Sequence, residues 1–352
     1  MSDPTPSASP DAHPDRRTAL VTGASGYIGG LVVPLLLADG WRVRVLTRRP
    51  GSLEKLPWSH QVEVVEGSAS STDDLRRGLD GADVGYYLIH SMDGEGDFAG
   101  RDRTMARSFG SVAQACGVRR IVYLGGLHPG NEPLSPHLAS RVEVGAALMN
   151  SGVPTAVLQV AVVLGDGSVS FDMLRYLSSR LPAMVAPKWL ANRIQPIAAV
   201  DVAYYLVAAA DLPAQVNRTF DVGGPEVLTY ADMLNRFAGV MGWRRRVIKL
   251  VPVLTPWLAS HWIGLITPVS AGVAKPLVGS LIHEVVCSEH DIDRFIDPPP
   301  GGLTGFDDAV RSAMSDIRPD HGPRAMALTL AATGVAAVIL AGDLSRQVRR
   351  WR

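Results

Sequence analysis

The chain has little of what would decide a role by itself. It carries two cysteines in 352 residues, Cys116 and Cys287, and no C-x-x-C spacing. That usage fits a reducing compartment and excludes a disulfide framework or a cysteine-built zinc site. His60, His128, His261, His283 and His290 share no ligand spacing, so no metal is expected. An excess of one charge is also missing. The 34 basic and 34 acidic residues cancel, which removes the whole-chain positive field that a nucleic-acid partner requires. The opening "MSDPTPSASPDAHPD" contains no apolar core and so is not a secretory signal. Its Pro, Ser and Asp content predicts a disordered tail over 1–16, ahead of a cytoplasmic protein.

From residue 17 the pattern becomes regular. Short apolar runs at 18–23, 41–50, 62–67, 82–90, 119–127 and 154–165 read as strands. Between them, 27–40, 71–81, 100–118 and 138–152 read as helices, several with a capping residue or a glycine stop. Strands that are apolar nearly throughout, alternating with helices, predict an α/β fold: a doubly wound parallel sheet covered on both faces. The alternation weakens after Gly165, which predicts a smaller C-terminal subdomain over 166–296. "DPPPGGLTG" opens a linker expected over 297–324.

The most informative stretch is "LVTGASGYIGG", residues 20–30. A glycine-rich turn between a strand and a helix start is an anion site, because the first helical N–H groups are unpaired and the helix dipole adds positive potential. Gly23 permits the tight turn, Gly26 lets backbone approach a pyrophosphate, and Gly29 lets the helix pack close to the sheet. Thr22, Ser25, Tyr27 and Ile28 flank these glycines and complete the candidate cofactor loop. The second strand ends "LTRRP", with Arg48 and Arg49 where an NAD site usually places a carboxylate. Guanidinium forks suit a 2′-phosphate, so NADP is expected ahead of NAD.

The motif "TGASGYIG" resembles the fingerprint of the extended and atypical short-chain dehydrogenase/reductase superfamily. "GYYLIHSM", "VYLGGLHP", "IQPIAAVDVAYYL" and "FDVGGPEVLTY" extend the resemblance over about residues 17–290, toward a bacterial NAD(P)H-binding, NmrA-like group. The resemblance implies a Rossmann domain over 17–165 followed by a substrate-side subdomain. It also implies that Ser68, with Ala69, stands where the family usually has an aspartate on the adenine amine, and that Ile89 borders the cofactor. The family's Tyr-x-x-x-Lys pair and strand-end serine are missing: the matching helix reads "HLASR" and the fifth strand ends at Gly125 and Gly126.

His137, with Arg141 one helical turn on, could replace that pair as proton donor and anchor, since an unperturbed imidazole titrates near pH 6.5. His90, at the end of the fourth strand, is the other candidate. Two readings stay open. One is hydride transfer to or from an apolar small molecule, held partly by the uncharged stretch 250–274. The other is an NADP(H)-binding module without turnover, a redox sensor or an accessory subunit of a membrane complex. Residues 325–342 are 18 uncharged positions followed by Arg346, Arg349, Arg350 and Arg352. Over 325–352 they predict an apolar helix with a basic end, for which attachment to the inner membrane face and packing against the protein both stay open, as does a homo-oligomer.

Overall fold

The computed structural model describes residues 16–89, 97–130, 132–251, 279 and 282–315. Six strands appear in the order the sequence predicts: β1 (Thr18–Thr22), β2 (Arg42–Thr47), β3 (Glu63–Glu66), β4 (Val84–Tyr87), β5 (Arg120–Gly126) and β6 (Thr155–Val160). The helices between them are α1 (Tyr27–Ala38), α2 (Thr72–Leu79), α3 (Phe98–Ala115) and α4 (Pro136–Met149). The apolar run at 154–165 is not one strand. Its end forms a separate β7 (Val163–Leu164) outside the main sheet.

Local chemistry sets the boundaries. Gly40, at φ +80°, ends α1. Its N–H reaches Leu37 O at 3.1 Å and the Trp41 N–H reaches Leu36 O at 3.0 Å, the paired bonds of a Schellman stop. Ser71 caps α2 and Ser135 caps α4, each hydroxyl accepting from a first-turn amide at 3.3 Å.

The remaining chain adds α5 (Val169–Arg180), β8 (Ala183–Pro187), β9 (Arg193–Ile194), β10 (Ile197–Ala198) and α6 (Ala199–Ala208). It continues through β11 (Arg218–Asp221), β12 (Leu228–Thr229), α7 (Tyr230–Val240), β13 (Val247–Val251) and a last described helix, here α8 (Phe306–Met314). The central sheet has seven strands in the order β11-β6-β5-β4-β1-β2-β3, and every pairing in it is parallel. Two buried layers flank it. One packs α1 and α6 against the sheet, through Val32, Val33 and Leu36 and through Val202, Tyr205 and Leu206. The other packs α2, α3 and α4, through Leu75, Phe109 and Leu148.

Two boundaries differ from the sequence reading. The main sheet does not close at residue 165, because β11 returns to pair with β6. The linker expected over 297–324 contains α8. Its Phe306, Ala309, Val310, Ala313 and Met314 are buried in a second core with Phe171, Leu174, Met233 and Phe237 from α5 and α7. An apolar stripe at helical spacing drives that docking.

No helix among the described residues is long and apolar enough to cross a membrane. The expected tail helix at 325–352, the uncharged stretch from 252 to 274 and the tail over 1–15 lie outside the described residues.

Candidate functional site

In a parallel sheet, ligands collect at the carboxyl edge where the strand order reverses. Here that reversal falls at β1, between β4 and β2. The loop leaving β1 is the glycine stretch. Gly23 has φ +76°, and a Cβ there would lie 2.8 Å from Leu88 C and 3.1 Å from Ile89 Cγ2, so the turn requires glycine on two counts. Gly29 sits in the first turn of α1, where a Cβ would lie 2.7 Å from Ala24 Cα. Ser25 and Gly26 are exposed. Among the described residues, a Cβ at Gly26 would meet only Gly23 O, at 3.1 Å. Gly26 is also the N-cap of α1, no side chain caps that helix, and its first turn holds no acid. The result is a bare helix start open to solvent, the donor set for a diphosphate.

The flanking residues divide. Thr22 is buried, and its hydroxyl donates to Tyr86 O at 2.9 Å and accepts from Leu88 N at 3.3 Å. It therefore ties β1 to β4, and its side chain does not serve the cofactor loop as expected. Tyr27 points away from the loop, with its ring against Gly167 and its phenol against Gly165. Burial, then Asp166 and Asp172, push that phenol up to about 12, so it stays protonated. Tyr27 and Ile28 contribute to the loop through their backbone.

Arg48 and Arg49 follow β2, on the strand next to β1, and both are exposed. Neither guanidinium has an ion pair or hydrogen bond among the described residues. The Arg49 backbone is fixed by Thr47 Oγ1 at 3.2 Å and by the Ser52 hydroxyl at 2.7 Å. Arg44, by contrast, is consumed by Glu63 at 3.0 Å and by the Gly78 carbonyl at 2.7 Å.

Past β3, the Ser68 hydroxyl bonds Ser70 Oγ at 2.8 Å, so it is turned into its own loop. Ala69 packs on the α2–α3 core layer. A carboxylate does reach this loop, from a place the sequence reading missed: Asp74 in α2 accepts from Ser68 N at 2.9 Å and from Arg77 at 2.5 Å. Those bonds, the one from Ser68 N foremost, hold the Asp74 carboxyl below its usual range. Gly67 makes room for it, since a Cβ there would lie 2.7 Å from Asp74 Cβ. The signal in sequence was a glycine after the third strand and an acid in the first turn of the next helix.

At the end of β5 the structure brings His137 and Arg141 together on α4. Arg141 Nη2 donates to Leu124 O at 2.5 Å, and its guanidinium lies 5.9 Å from the Tyr123 ring centre. Gly125 and Gly126 offer no hydroxyl, and a Cβ on Gly126 would lie 3.0 Å from Leu138 Cδ2. Burial, helped by the Arg141 charge, lowers His137 to about 4. The imidazole is therefore neutral near pH 7. His90 lies outside the described residues. No group of three or more His, Cys, Asp or Glu among the described residues is arranged to hold a metal ion.

Residues 23–157 match a family model described as NAD(P)H-binding. A ceramide reductase of Caulobacter vibrioides is 29% identical over 268 residues, covering 74% of this chain and 83% of that protein. A (4-alkanoyl-5-oxo-2,5-dihydrofuran-3-yl)methyl phosphate reductase of Streptomyces griseus is 31% identical over 232 residues, covering 63% and 73%. Among solved structures, the Citrobacter triphenylmethane reductase complexed with NADP(H) superposes with a TM-score of 0.65 at 18% identity, covering 84% of this chain and 99% of that one.

Proposed function

Since the chain belongs to a family of NAD(P)H-binding reductases, we propose that it is an NADP(H)-dependent reductase of an apolar small molecule, of the NmrA-like, atypical short-chain dehydrogenase/reductase type. The observation that carries this is the pairing of two features on one sheet edge. The uncapped start of α1 receives a diphosphate, and the guanidinium of Arg48, one strand across, has no partner among the described residues and suits a 2′-phosphate. A reduced nicotinamide, when bound, supplies a hydride. The chain's own part is to hold the diphosphate at Gly23, Ser25 and Gly26, to fix the adenine end with the Ser68–Asp74 loop, and to present the end of β5 to the reacting carbon. The curated reductases in the comparison act on a lipid and on an alkanoyl compound by their names. An acyl or similarly apolar substrate is therefore the class proposed here.

A second reading is favoured by one observation, the neutral His137 in place of a tyrosine–lysine pair: a module that binds NADP(H) without turnover. The test is calorimetric titration with NADPH and NADH at matched ionic strength, followed by NADPH oxidation against ketone, aldehyde and quinone panels. Tighter NADPH binding with oxidation of one panel member supports the reductase. Binding with no oxidation supports the module. No binding of either dinucleotide sinks both.

A further inference from the structure

One histidine given no role by its sequence context is held as a proton donor would be. His283 is buried, with 8% of its surface exposed. Its Nδ1 lies 2.9 Å from Glu132 Oε2, and 151 positions separate the two in the chain. Its Nε2 is buried, with no hydrogen-bond partner among the described residues. A buried imidazole nitrogen left alone is costly and uncommon, and each case calls for a missing partner.

The backbone around His283 is fixed on both sides. Asn192 Nδ2 donates to Ile282 O at 2.7 Å. Val285 bridges Ile194, with Val285 N to Arg193 O at 3.0 Å and Gln195 N to Val285 O at 2.9 Å. The neighbouring Glu284 is taken by Arg193 at 3.0 Å, so its charge is already paired. Glu132 belongs to the loop that leaves the carboxyl end of β5 and leads into α4, three positions before the cap Ser135 and five before His137. The pair therefore anchors to the loop that builds the reacting end of the site. With Nδ1–H donating to Glu132, the tautomer is set, and Nε2 is the atom left to take up or give a proton.

We propose that His283, oriented by Glu132, is the proton donor to the substrate oxygen. The proposal rests on the reductase reading above. As a hydride adds to a carbonyl carbon, its electron pair forms the new C–H bond and the C=O π pair moves onto oxygen. That oxygen takes the Nε2 proton of the His283 imidazolium, giving an alcohol and a neutral imidazole. Water that enters as the alcohol leaves returns the proton to Nε2, while Glu132 holds Nδ1–H in place throughout. In the opposite direction neutral Nε2 accepts the alcohol proton. Glu132 is a positioning residue in this scheme, and His137 is left as a neutral wall of the site.

The test is long-range proton–nitrogen imidazole spectroscopy on the full chain labelled in histidine nitrogen, with His283 assigned through His283→Gln. The protein is saturated with NADP+, with calorimetry following that step, and then titrated with 2-decanone, decanal and menadione. The expected result is that at least one compound moves the His283 Nε2 resonance. Glu132→Gln, a surface change, should reduce the movement, and His283→Gln should weaken that compound about tenfold, the loss of one charge-assisted hydrogen bond. If NADP+ binds and none of the three moves the resonance, the proposal is overturned and the cofactor reading stands. If NADP+ does not bind, the cofactor reading itself has failed.

Discussion

The phenol of Tyr27 occupies the space that a side chain on Gly165 would need. Tyr27 opens α1, directly after the glycine-rich turn, and Gly165 begins the turn that carries the chain from β7 into α5. Two parts of the molecule that the sequence separates by more than a hundred residues thus meet through one ring and two glycines, since Gly167 lies against the same ring with φ +91°.

Gly165→Ala is therefore expected to destabilise the protein by about 1–3 kcal/mol, the usual cost of overpacking. Tyr27→Phe removes the oxygen in conflict and leaves the nearest ring carbon 3.3 Å from the new methyl. The double variant should recover much of the loss, although Ala199 Cβ at 3.0 Å keeps it short of full recovery. Thermal denaturation of the four proteins of the cycle measures the coupling. Simple additivity would show that the two positions do not meet.

Gly29 and Gly30 are adjacent in the same helix turn and should respond in opposite ways. An added methyl at Gly29 runs into the backbone of Ala24, whereas at Gly30 it meets only Ala24 O at 4.0 Å. Gly29→Ala should cost about 2 kcal/mol or more and weaken NADPH at least tenfold. Gly30→Ala should be neutral or gain up to about 1 kcal/mol from helix propensity. Melting temperature and dinucleotide titration decide both.

Arg48→Ala should weaken NADPH by about ten- to a hundredfold while leaving NADH within about twofold, because only the former carries the extra phosphate. Calorimetry at fixed salt measures the difference. Equal losses for both dinucleotides would place Arg48 on the adenine or the shared diphosphate instead.

His137 gives the protein an acid-sensitive step. Its folded value near 4 lies below the ordinary 6.5, so the unfolded chain binds the proton more readily. The stability it confers is present above pH 6.5 and is lost as pH falls toward 4, by at most about 3 kcal/mol. Denaturant melts across that window should show the loss, and His137→Gln should flatten it. An unchanged slope would mean that other groups control the acid limb.

Much of the geometry at the β1–α1 turn was legible because its signals are local. The spacing of Gly23, Gly26 and Gly29 encodes a turn, an opening and a close approach within seven residues, and the two arginines follow at the end of the next strand. Helix α8 shows what composition hides. Phe306, Ala309, Val310, Ala313 and Met314 form a helical stripe, yet the prolines and glycines before it read as linker, and nine residues are too few for periodicity to prevail. Asp74 and His283 were missed for another reason. Asp74 stands in the first turn of α2, where an acid suits any helix, and only the folded loop shows it gripping Ser68. The relationship of His283 to Glu132 depends on two distant segments meeting, for which one sequence carries no sign.

The return of β11 to the sheet sets an order on how the molecule can be made. On a ribosome, β6 emerges well before residues 218–221, and until they arrive its outer hydrogen-bonding groups have no neighbour. All six residues of β6 are buried in the finished protein, so the nascent chain carries an unpaired apolar strand throughout the synthesis of residues 161–217. Cutting the gene after residue 165 makes that condition permanent and also strips α1 of the α6 face that covers it. The nucleotide-binding half is thus no portable module: its last strand is supplied only after the chain has built α5 and α6.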